Sequence, residues 1–130
     1  MIVVDTSVWI DLLNGTDSDA AEQCATLIAG GAPVALTDVV LTEVLQGIRN
    51  ERHVRTVERH LRAFPILQLQ GLDDFVLAAS LYRQARRAGV TIRKTLDCLI
   101  AAPCVRSGSP LLHADADFDR LARCTALEIW

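Results

Sequence analysis

The amino-acid sequence predicts an α/β fold: a doubly wound, mainly parallel sheet of five strands flanked by helices. Short runs of aliphatic and β-branched residues recur along the chain, and they alternate with longer stretches whose apolar residues are three and four positions apart. Strands that alternate with helices form parallel sheets covered on both faces. With 130 residues and no linker, repeat or low-complexity segment, the chain is expected to form one domain over residues 1–130.

Each predicted element follows from its own pattern. The strands are the runs rich in valine, isoleucine and leucine, at residues 1–5, 34–37, 66–69, 110–114 and 126–130. The helices are the stretches with one apolar face, at residues 17–30, 38–50, 51–64, 73–88 and 96–107. Pro103 lies inside the last helix, where proline costs about 3 kcal/mol, so the packing of residues 104–107 is in doubt.

The segment 51–64 shows the two-faced helical pattern most clearly. Its apolar residues fall on one face, and its arginines fall on the opposite face: Arg52, Arg55, Arg59 and Arg62. We interpret the arginine face as an ordinary solvated surface. Contact with a nucleic acid or an acidic partner is the alternative.

Composition and cysteine spacing exclude several classes of protein. Hydrophobic residues make up 51% of the chain and aromatic residues 5%, which is typical of a globular protein with an aliphatic core. The four cysteines form no C-x-x-C pair, so we expect free thiols in a reducing compartment and neither a zinc site nor a disulfide framework. The apolar start has no preceding basic region and is interrupted by Asp5 and Asp11. This argues against a signal peptide or a membrane span and indicates a cytoplasmic protein.

Five acidic residues lie at the edges of apolar segments that are far apart in sequence: Asp5, Glu43, Asp97, Asp115 and Asp117. Asp5 ends the first predicted strand and Asp115 follows the fourth, and ligands bind at the carboxyl edge of a parallel sheet. Asp97 comes at the start of a helix, where the helix dipole already favours an acid. Glu43 lies at the margin of the apolar stripe of its helix. Gly47, one turn further, weakens that helix and suggests that something approaches closely there.

Carboxylates brought together in this way need a partner of opposite charge. Two of them about 4 Å apart repel by about 4 kcal/mol at an effective dielectric near 20. Oxygen ligands without cysteine or histidine select Mg²⁺ or Mn²⁺, and such ions can activate water for attack on a phosphodiester. The formal net charge of −3 argues against nucleic-acid binding, but setting the five acids aside changes the balance to +2. An RNA or DNA substrate is therefore compatible with the composition.

Four segments together resemble the motifs of a PIN-domain ribonuclease. They are D-T-S-V-W at 5–9, T-E-V-L-Q-G at 42–47, L-D-C-L-I-A-A at 96–102 and H-A-D-A-D-F-D at 113–119. More narrowly, the chain length and the motif spacing resemble the VapC toxins of bacterial toxin–antitoxin systems. Each motif alone is weak, but the four in this order and spacing are specific, and the resemblance extends from residue 1 to about residue 123.

The resemblance implies a PIN-like fold and a Mg²⁺- or Mn²⁺-dependent endoribonuclease that cleaves structured RNA such as tRNA or ribosomal RNA. Four acids would form its catalytic, metal-binding core: Asp5, Glu43, Asp97 and Asp115. Asp117 would be an additional metal ligand. Thr6 or Ser7 would hydrogen-bond the metal-bound water or an acidic neighbour. A VapB-type antitoxin would block the site, and the nuclease would form a homodimer that assembles with the antitoxin into a heterotetramer or a larger complex.

Two basic residues and a histidine lie close in sequence to the predicted acids. Arg93 and Lys94 directly precede the helix of Asp97 and are equally suited to hold RNA phosphates or to form salt bridges with nearby acids. His113 lies in a predicted strand and is interpreted as a core or supporting histidine. The rival function is a non-catalytic PIN-like module that binds RNA or a protein.

Overall fold

The computed structural model describes residues 1–130 and contains four strands and seven helices. The strands are β1 (Ile2–Val4), β2 (Val34–Thr37), β3 (Ile66–Leu67) and β4 (Leu111–Leu112). The helices are α1 (Thr6–Asn14), α2 (Asp19–Ala29), α3 (Asp38–Gln46), α4 (Glu51–Arg62), α5 (Gly71–Arg87), α6 (Thr95–Ser107) and α7 (Ala116–Cys124). None of these helices combines the length and the apolar character that a membrane crossing requires.

All neighbouring strands of the sheet are parallel, in the order β3-β2-β1-β4. The strand β1 pairs with β2 through Ile2 and Val34, and with β4 through Val3 and Leu111. The chain proceeds from β1 outward through β2 and β3, and then crosses to the other side of β1 to add β4. Such a reversal leaves a crevice beyond the carboxyl ends of the two strands concerned, here β1 and β4. The predicted fold class is therefore confirmed.

The prediction of a fifth strand at residues 126–130 is wrong. This segment makes only one bridge to the sheet, between Leu111 and Ile129. The Leu111 N–H donates to Glu128 O at 2.9 Å, the Trp130 N–H donates to Leu111 O at 3.0 Å, and the pairing goes no further. The strand β4 is two residues long because the chain then turns toward α7. Residues 126–130 therefore have only a short strand edge with which to pair.

The sequence pattern also failed to predict α1 and α7. The helix α1 starts one residue after β1, and its first turns contain β-branched residues and a tryptophan, which are more common in strands. It ends at Gly15, whose φ of 66° lies in the left-handed region. The helix α7 is short and rich in charged residues, which obscures the buried face formed by Phe118 and Leu121.

The buried core is a single cluster of 25 residues, formed by the strands and the inner faces of the helices. Three of the four free cysteines belong to it, which agrees with the prediction of free thiols. Trp9 joins α1 to this core: its indole N–H donates to Val4 O at 3.1 Å, and its ring lies 5.0 Å from that of Phe64 between centroids. These contacts fix the start of α1 with respect to the end of β1.

The helix α6 continues through Pro103 and ends at Ser107. Pro103 and Cys104 are both buried, and the Cys104 thiol donates to Ile100 O at 3.3 Å. The Ser107 hydroxyl donates to Pro103 O at 2.8 Å. The expected disturbance of residues 104–107 is therefore not observed, because burial and these side-chain bonds hold the last turn of the helix.

Asp74 and Arg106 form an ion pair that joins α5 to α6. The carboxylate of Asp74 is 1% exposed and accepts hydrogen bonds from Arg106 Nε at 2.9 and 3.1 Å and from the Gln70 N–H at 2.7 Å. Arg106 also donates to Gln68 O at 3.0 Å, which links α6 to the segment after β3. Burial by itself raises the pKa of Asp74, but the bonds from Arg106 and Gln70 outweigh it and hold that pKa below its usual value.

We expect Asp74→Asn to destabilise the protein by about 3 kcal/mol at pH 7, because it leaves Arg106 without its charge partner. Since folding lowers the pKa of Asp74, the stabilisation is present above the unfolded-state value of about 3.9 and is lost as the pH falls through the folded-state value. Urea unfolding of wild type and variant should therefore differ strongly at pH 7 and less at pH 3.

The exposed neighbour Asp73 supplies the control for this experiment. Asp73→Asn removes the same charge from the first turn of α5 and should change the stability by less than about 1 kcal/mol. If both variants lost the same free energy of unfolding, the effect would come from the charge at the helix N-terminus and not from the ion pair.

Candidate active site

Four of the predicted acids lie beyond the carboxyl ends of β1 and β4, and the fifth, Glu43, lies on the neighbouring helix α3. Asp5 follows β1 and is the N-cap of α1, whereas Asp115 follows β4 and is the N-cap of α7. Asp97 lies in the first turn of α6. Three helices therefore carry an acid at the N-cap or in the first turn at this site, and the partial positive charge of a helix N-terminus favours carboxylates there.

Asp97 is the acid of the site with a buried oxygen that lacks a hydrogen-bond partner. It is 5% exposed, and its Oδ2 is the one buried side-chain oxygen or nitrogen of the protein without a hydrogen-bond partner. Burial, together with the charges of Asp115 and Asp5, raises the pKa of Asp97 to about 7, although Lys94 acts in the opposite direction. Buried polar atoms nearly always bind a hydrogen-bond partner, an ion or a water, so this oxygen indicates a ligand site.

The carboxylates around Asp97 are close enough to act together. Asp97, Asp115 and Asp117 bring three oxygens within 4.8 Å of one another. Burial raises the pKa of Asp5; hydrogen bonds to its carboxylate oppose this, and the charge of Glu43 adds to it. Because Asp5 in turn raises the pKa of Asp97, the four acids of the predicted core form one electrostatically connected group.

Two hydroxyl groups of α1 hold acids of this group. Thr6 Oγ1 donates to Glu43 Oε1 at 2.7 Å and thereby links α1 to α3. Ser7 Oγ donates to Asp5 Oδ2 at 3.2 Å. In each case one carboxylate oxygen accepts the hydroxyl, which fixes the orientation of the acid.

Asp117 differs from the other acids because two arginines neutralise it. It is 2% exposed; its Oδ2 accepts from Arg93 Nε at 3.1 Å, and its Oδ1 accepts from Arg120 Nη1 at 2.6 Å. Burial by itself raises the pKa of Asp117, but the bonds from the two arginines outweigh it and hold that pKa below its usual value. Arg93 Nη2 also lies 4.0 Å from Asp115 Oδ1.

The two basic residues that precede α6 therefore differ in their contacts. Arg93 pairs with nearby acids, which is one of the two possibilities that the sequence left open. Lys94 is exposed at the N-cap of α6 and forms no ion pair. Arg120 was missed entirely, although its spacing of three positions from Asp117 on a helix is a recognisable signal for an ion pair.

His113 supports the turn between β4 and α7. Its side chain is 5% exposed, its Nδ1 accepts from the Asp115 N–H at 3.0 Å, and its Nε2 lies 3.1 Å from Asp119 Oδ1. Because Nδ1 accepts, the proton lies on Nε2 and is donated to Asp119. Both nitrogens are therefore occupied, which agrees with the interpretation of His113 as a supporting residue.

Gly47 does not lie inside the helix as predicted, because α3 ends at Gln46. Gly47 is the exposed C-cap residue of α3, and a Cβ added there would meet only Glu43 O at 3.5 Å and Val44 O at 3.6 Å. These are ordinary van der Waals distances, so no close approach within the chain requires a glycine at this position. Its physical role is to end the helix that carries Glu43.

The family comparison agrees with the fold and with the acidic group. A family model described as PIN domain matches residues 2–123, which include all the acids of the site. The chain therefore belongs to the PIN-domain family.

Two curated relatives give a closer placement. The chain is 40% identical over 129 residues to VapC ribonuclease Mb1587 of Mycobacterium bovis and to Ribonuclease VapC11 of Mycobacterium tuberculosis. Each alignment covers 98% of this chain and 96% of the relative. The resemblance to the VapC group of PIN-domain proteins is thereby confirmed.

Solved toxin–antitoxin complexes share the fold. VapBC2 from Rickettsia felis, solved with a DNA fragment from its promoter, matches with a TM-score of 0.76 at 18% identity, covering 100% of this chain and 98% of that one. A toxin–antitoxin complex from Klebsiella pneumoniae matches with a TM-score of 0.74 at 21% identity, covering 99% and 100%. At these identities the likeness establishes the fold alone.

We expect Asp97→Asn to stabilise the protein in the presence of a chelator at pH 8. The pKa of Asp97 is about 7 when folded and about 3.9 when unfolded, so its protonated form favours folding, and this contribution is lost as the pH rises through 7. One pKa unit corresponds to about 1.4 kcal/mol, which sets an upper limit of about 4 kcal/mol for the gain at pH 8. Thermal unfolding in EDTA should show a higher Tm for the variant at pH 8 and a smaller gain at pH 5.

The exposed Asp17 provides a control for the loss of one negative charge. Asp17→Asn should leave the Tm nearly unchanged at both pH values, because this residue lies outside the acidic group. A lower Tm of Asp97→Asn at both pH values would show that Asp97 is a structural hydrogen-bonding acid.

Proposed function

We propose that this chain is a divalent-metal-dependent endoribonuclease that acts as the toxin of a toxin–antitoxin pair. The observation that carries the proposal is the unpartnered Asp97 Oδ2, buried among other carboxylates beyond the ends of β1 and β4. A buried acceptor without a partner costs about 1–3 kcal/mol, and more when it is charged. A cation bound at this oxygen would remove that cost.

The donor set fits a hard cation. The clustered oxygens of Asp97, Asp115 and Asp117 belong to carboxylates, and neither a thiolate nor an imidazole is among them. We assign the metal ligands to Asp5, Glu43, Asp97 and Asp115, and the cation to Mg²⁺ or Mn²⁺. When bound, such a cation stabilises the negative charge that develops on a phosphodiester during hydrolysis and lowers the pKa of the attacking water.

Other residues of the site would orient these ligands. Thr6 and Ser7 each donate a hydrogen bond to one oxygen of an acid, which favours presentation of the second oxygen to the cation. Asp115 is fixed at the start of α7 by two bonds: its N–H donates to His113 Nδ1, and its Oδ1 accepts from the Asp117 N–H at 2.9 Å.

The protein offers no nucleophile of its own at the site. Cys98 follows Asp97, but it is 2% exposed, and burial together with the charge of Asp97 raises its pKa to about 11. A buried thiol with that pKa stays protonated at neutral pH and is unreactive. The Ser7 hydroxyl is donated to Asp5, and His113 uses both of its nitrogens. Water is therefore the attacking group in the proposed reaction.

The relatives supply the biological context of the proposal. The curated relatives are named VapC ribonucleases, and the similar structures are toxin–antitoxin complexes, one of them on promoter DNA. By analogy we assign RNA as the substrate, with structured RNA such as tRNA or ribosomal RNA as its class. The partner would be a VapB-type antitoxin, and the nuclease would act as a homodimer held in a heterotetramer or a larger complex with it.

We expect the protein to cleave total tRNA with Mn²⁺ or Mg²⁺ but not with EDTA, and Asp97→Asn to lower the rate at least about 100-fold. Residues that merely hydrogen-bond a metal ligand already contribute about 10- to 100-fold to affinity or activity, so loss of a ligand should cost more. Denaturing gels follow the cleavage, and unfolding curves verify that the variant is folded. Asp17→Asn, which removes an exposed acid outside the site, should cleave like the wild type.

The outcomes of this experiment separate the alternatives. Equal product in EDTA would overturn the metal requirement. If the wild type binds RNA but cleaves none, the chain is a non-catalytic PIN-like module.

A further inference from the structure

We propose that Arg93 and Arg120, both anchored on Asp117, form a binding site for an RNA phosphate group beside the metal ligands. In this proposal Asp117 positions the two arginines and is not itself a metal ligand. The inference rests on the proposed function, because it names the part of the site that would hold the substrate backbone.

The contacts of Asp117 set it apart from the neighbouring acids. Each of its oxygens accepts a hydrogen bond from a different guanidinium, at 3.1 Å from Arg93 and 2.6 Å from Arg120. Asp97, by contrast, has a buried oxygen with no partner at all. Two cations already satisfy the Asp117 carboxylate, so a third one has little to gain from it, whereas Asp97 still lacks a partner.

The two guanidinium groups keep most of their donors free. An arginine has five N–H donors, and Arg93 and Arg120 each donate a hydrogen bond to the protein through one nitrogen only. Their side chains are 71% and 47% exposed, so the remaining donors face solvent. Asp117 offsets one of the two arginine charges, and Asp115 lies 4.0 Å from Arg93 as a further acid that the proposed cation would neutralise. Planar guanidinium donors match the oxygens of a phosphate.

The location of this pair is suited to the substrate backbone. Arg93 Nη2 lies 4.0 Å from Asp115 Oδ1, so the guanidinium borders directly on a proposed metal ligand. A phosphate held there would be adjacent to the metal site. Because Asp117 is buried and accepts from both arginines, their positions are set before RNA arrives, which reduces the entropy lost on binding.

The other basic side chains lack this arrangement. Arg123 is exposed on α7, one turn from Arg120, and contacts no acid. The arginines of α4 are exposed as well, and only Arg62 is paired, with Glu58 at 2.7 Å. No contact connects that arginine face to the acidic group, which agrees with its interpretation as a solvated surface.

The first test measures RNA binding in the Asp97→Asn protein, in which the RNA is expected to stay intact. Removing both arginines in that background, with Arg93→Ala and Arg120→Ala, should weaken binding of labelled total tRNA about 10- to 100-fold in fluorescence anisotropy. The slope of log Kd against log salt should fall by about one, because one phosphate contact is lost. Arg123→Ala in the same background is the matched control and should change neither quantity.

The second test measures Mn²⁺ binding without RNA, from the loss of the free Mn²⁺ signal in electron paramagnetic resonance. Asp117→Asn should retain Mn²⁺ affinity within about tenfold of the wild type, whereas Asp97→Asn should lose it by at least about 100-fold. Thermal unfolding verifies that both variants are folded.

Two results would overturn the proposal. One is equal tRNA affinity and salt slope with and without the arginine pair. The other is a loss of Mn²⁺ binding in Asp117→Asn as large as in Asp97→Asn, which would make Asp117 a metal ligand. Neither measurement uses cleavage, so a failure of the proposed nuclease activity would be recognised separately.

Discussion

The mutual repulsion of buried carboxylates is the constraint on which the rest of this structure depends. Asp5 and Asp97 are each 5% exposed, and burial raises the pKa of both carboxyl groups. The charge of Glu43 adds to the increase at Asp5, and the charges of Asp115 and Asp5 add to the increase at Asp97. Water cannot screen charges at such depth as it does at a surface. The protein therefore has to compensate them with its own dipoles, with hydrogen bonds, with arginines or with a bound cation.

The fold supplies most of this compensation. The reversal of strand order beside β1 brings the starts of α1, α6 and α7 to one place, and helix N-termini favour negative charge. The hydroxyls of Thr6 and Ser7 donate hydrogen bonds to Glu43 and Asp5, respectively. Two arginines donate hydrogen bonds to Asp117. Asp97 receives the least of this support, which is why the proposed chemistry is centred on it.

The acids could be found from the sequence, but their different surroundings could not. Asp5 and Asp115 follow aliphatic runs, and strand ends of a parallel sheet lie on one edge whatever the details of packing. The ion pairs of Asp117 could not be recognised in this way, because Asp-x-x-Arg is a common pattern on the exposed surface of helices, where such pairs contribute little. The pair with Arg120 is significant because Asp117 is only 2% exposed, and the sequence does not reveal that burial. The fifth strand was over-predicted for a related reason, because strand length depends on what the neighbouring strand offers and not on propensity alone.

The position of β1 inside the sheet affects the order in which the sheet can form during synthesis. Val3 in β1 pairs with Leu111 in β4, so one side of β1 stays unpaired until the segment after α6 has been made. Chains grow at about 5–20 residues per second, so this strand waits several seconds for its partner. A growing chain thus carries Asp5 and Glu43 long before Asp97 and Asp115 exist. A complete acidic site therefore exists only after the segment that carries Asp115 has been synthesised.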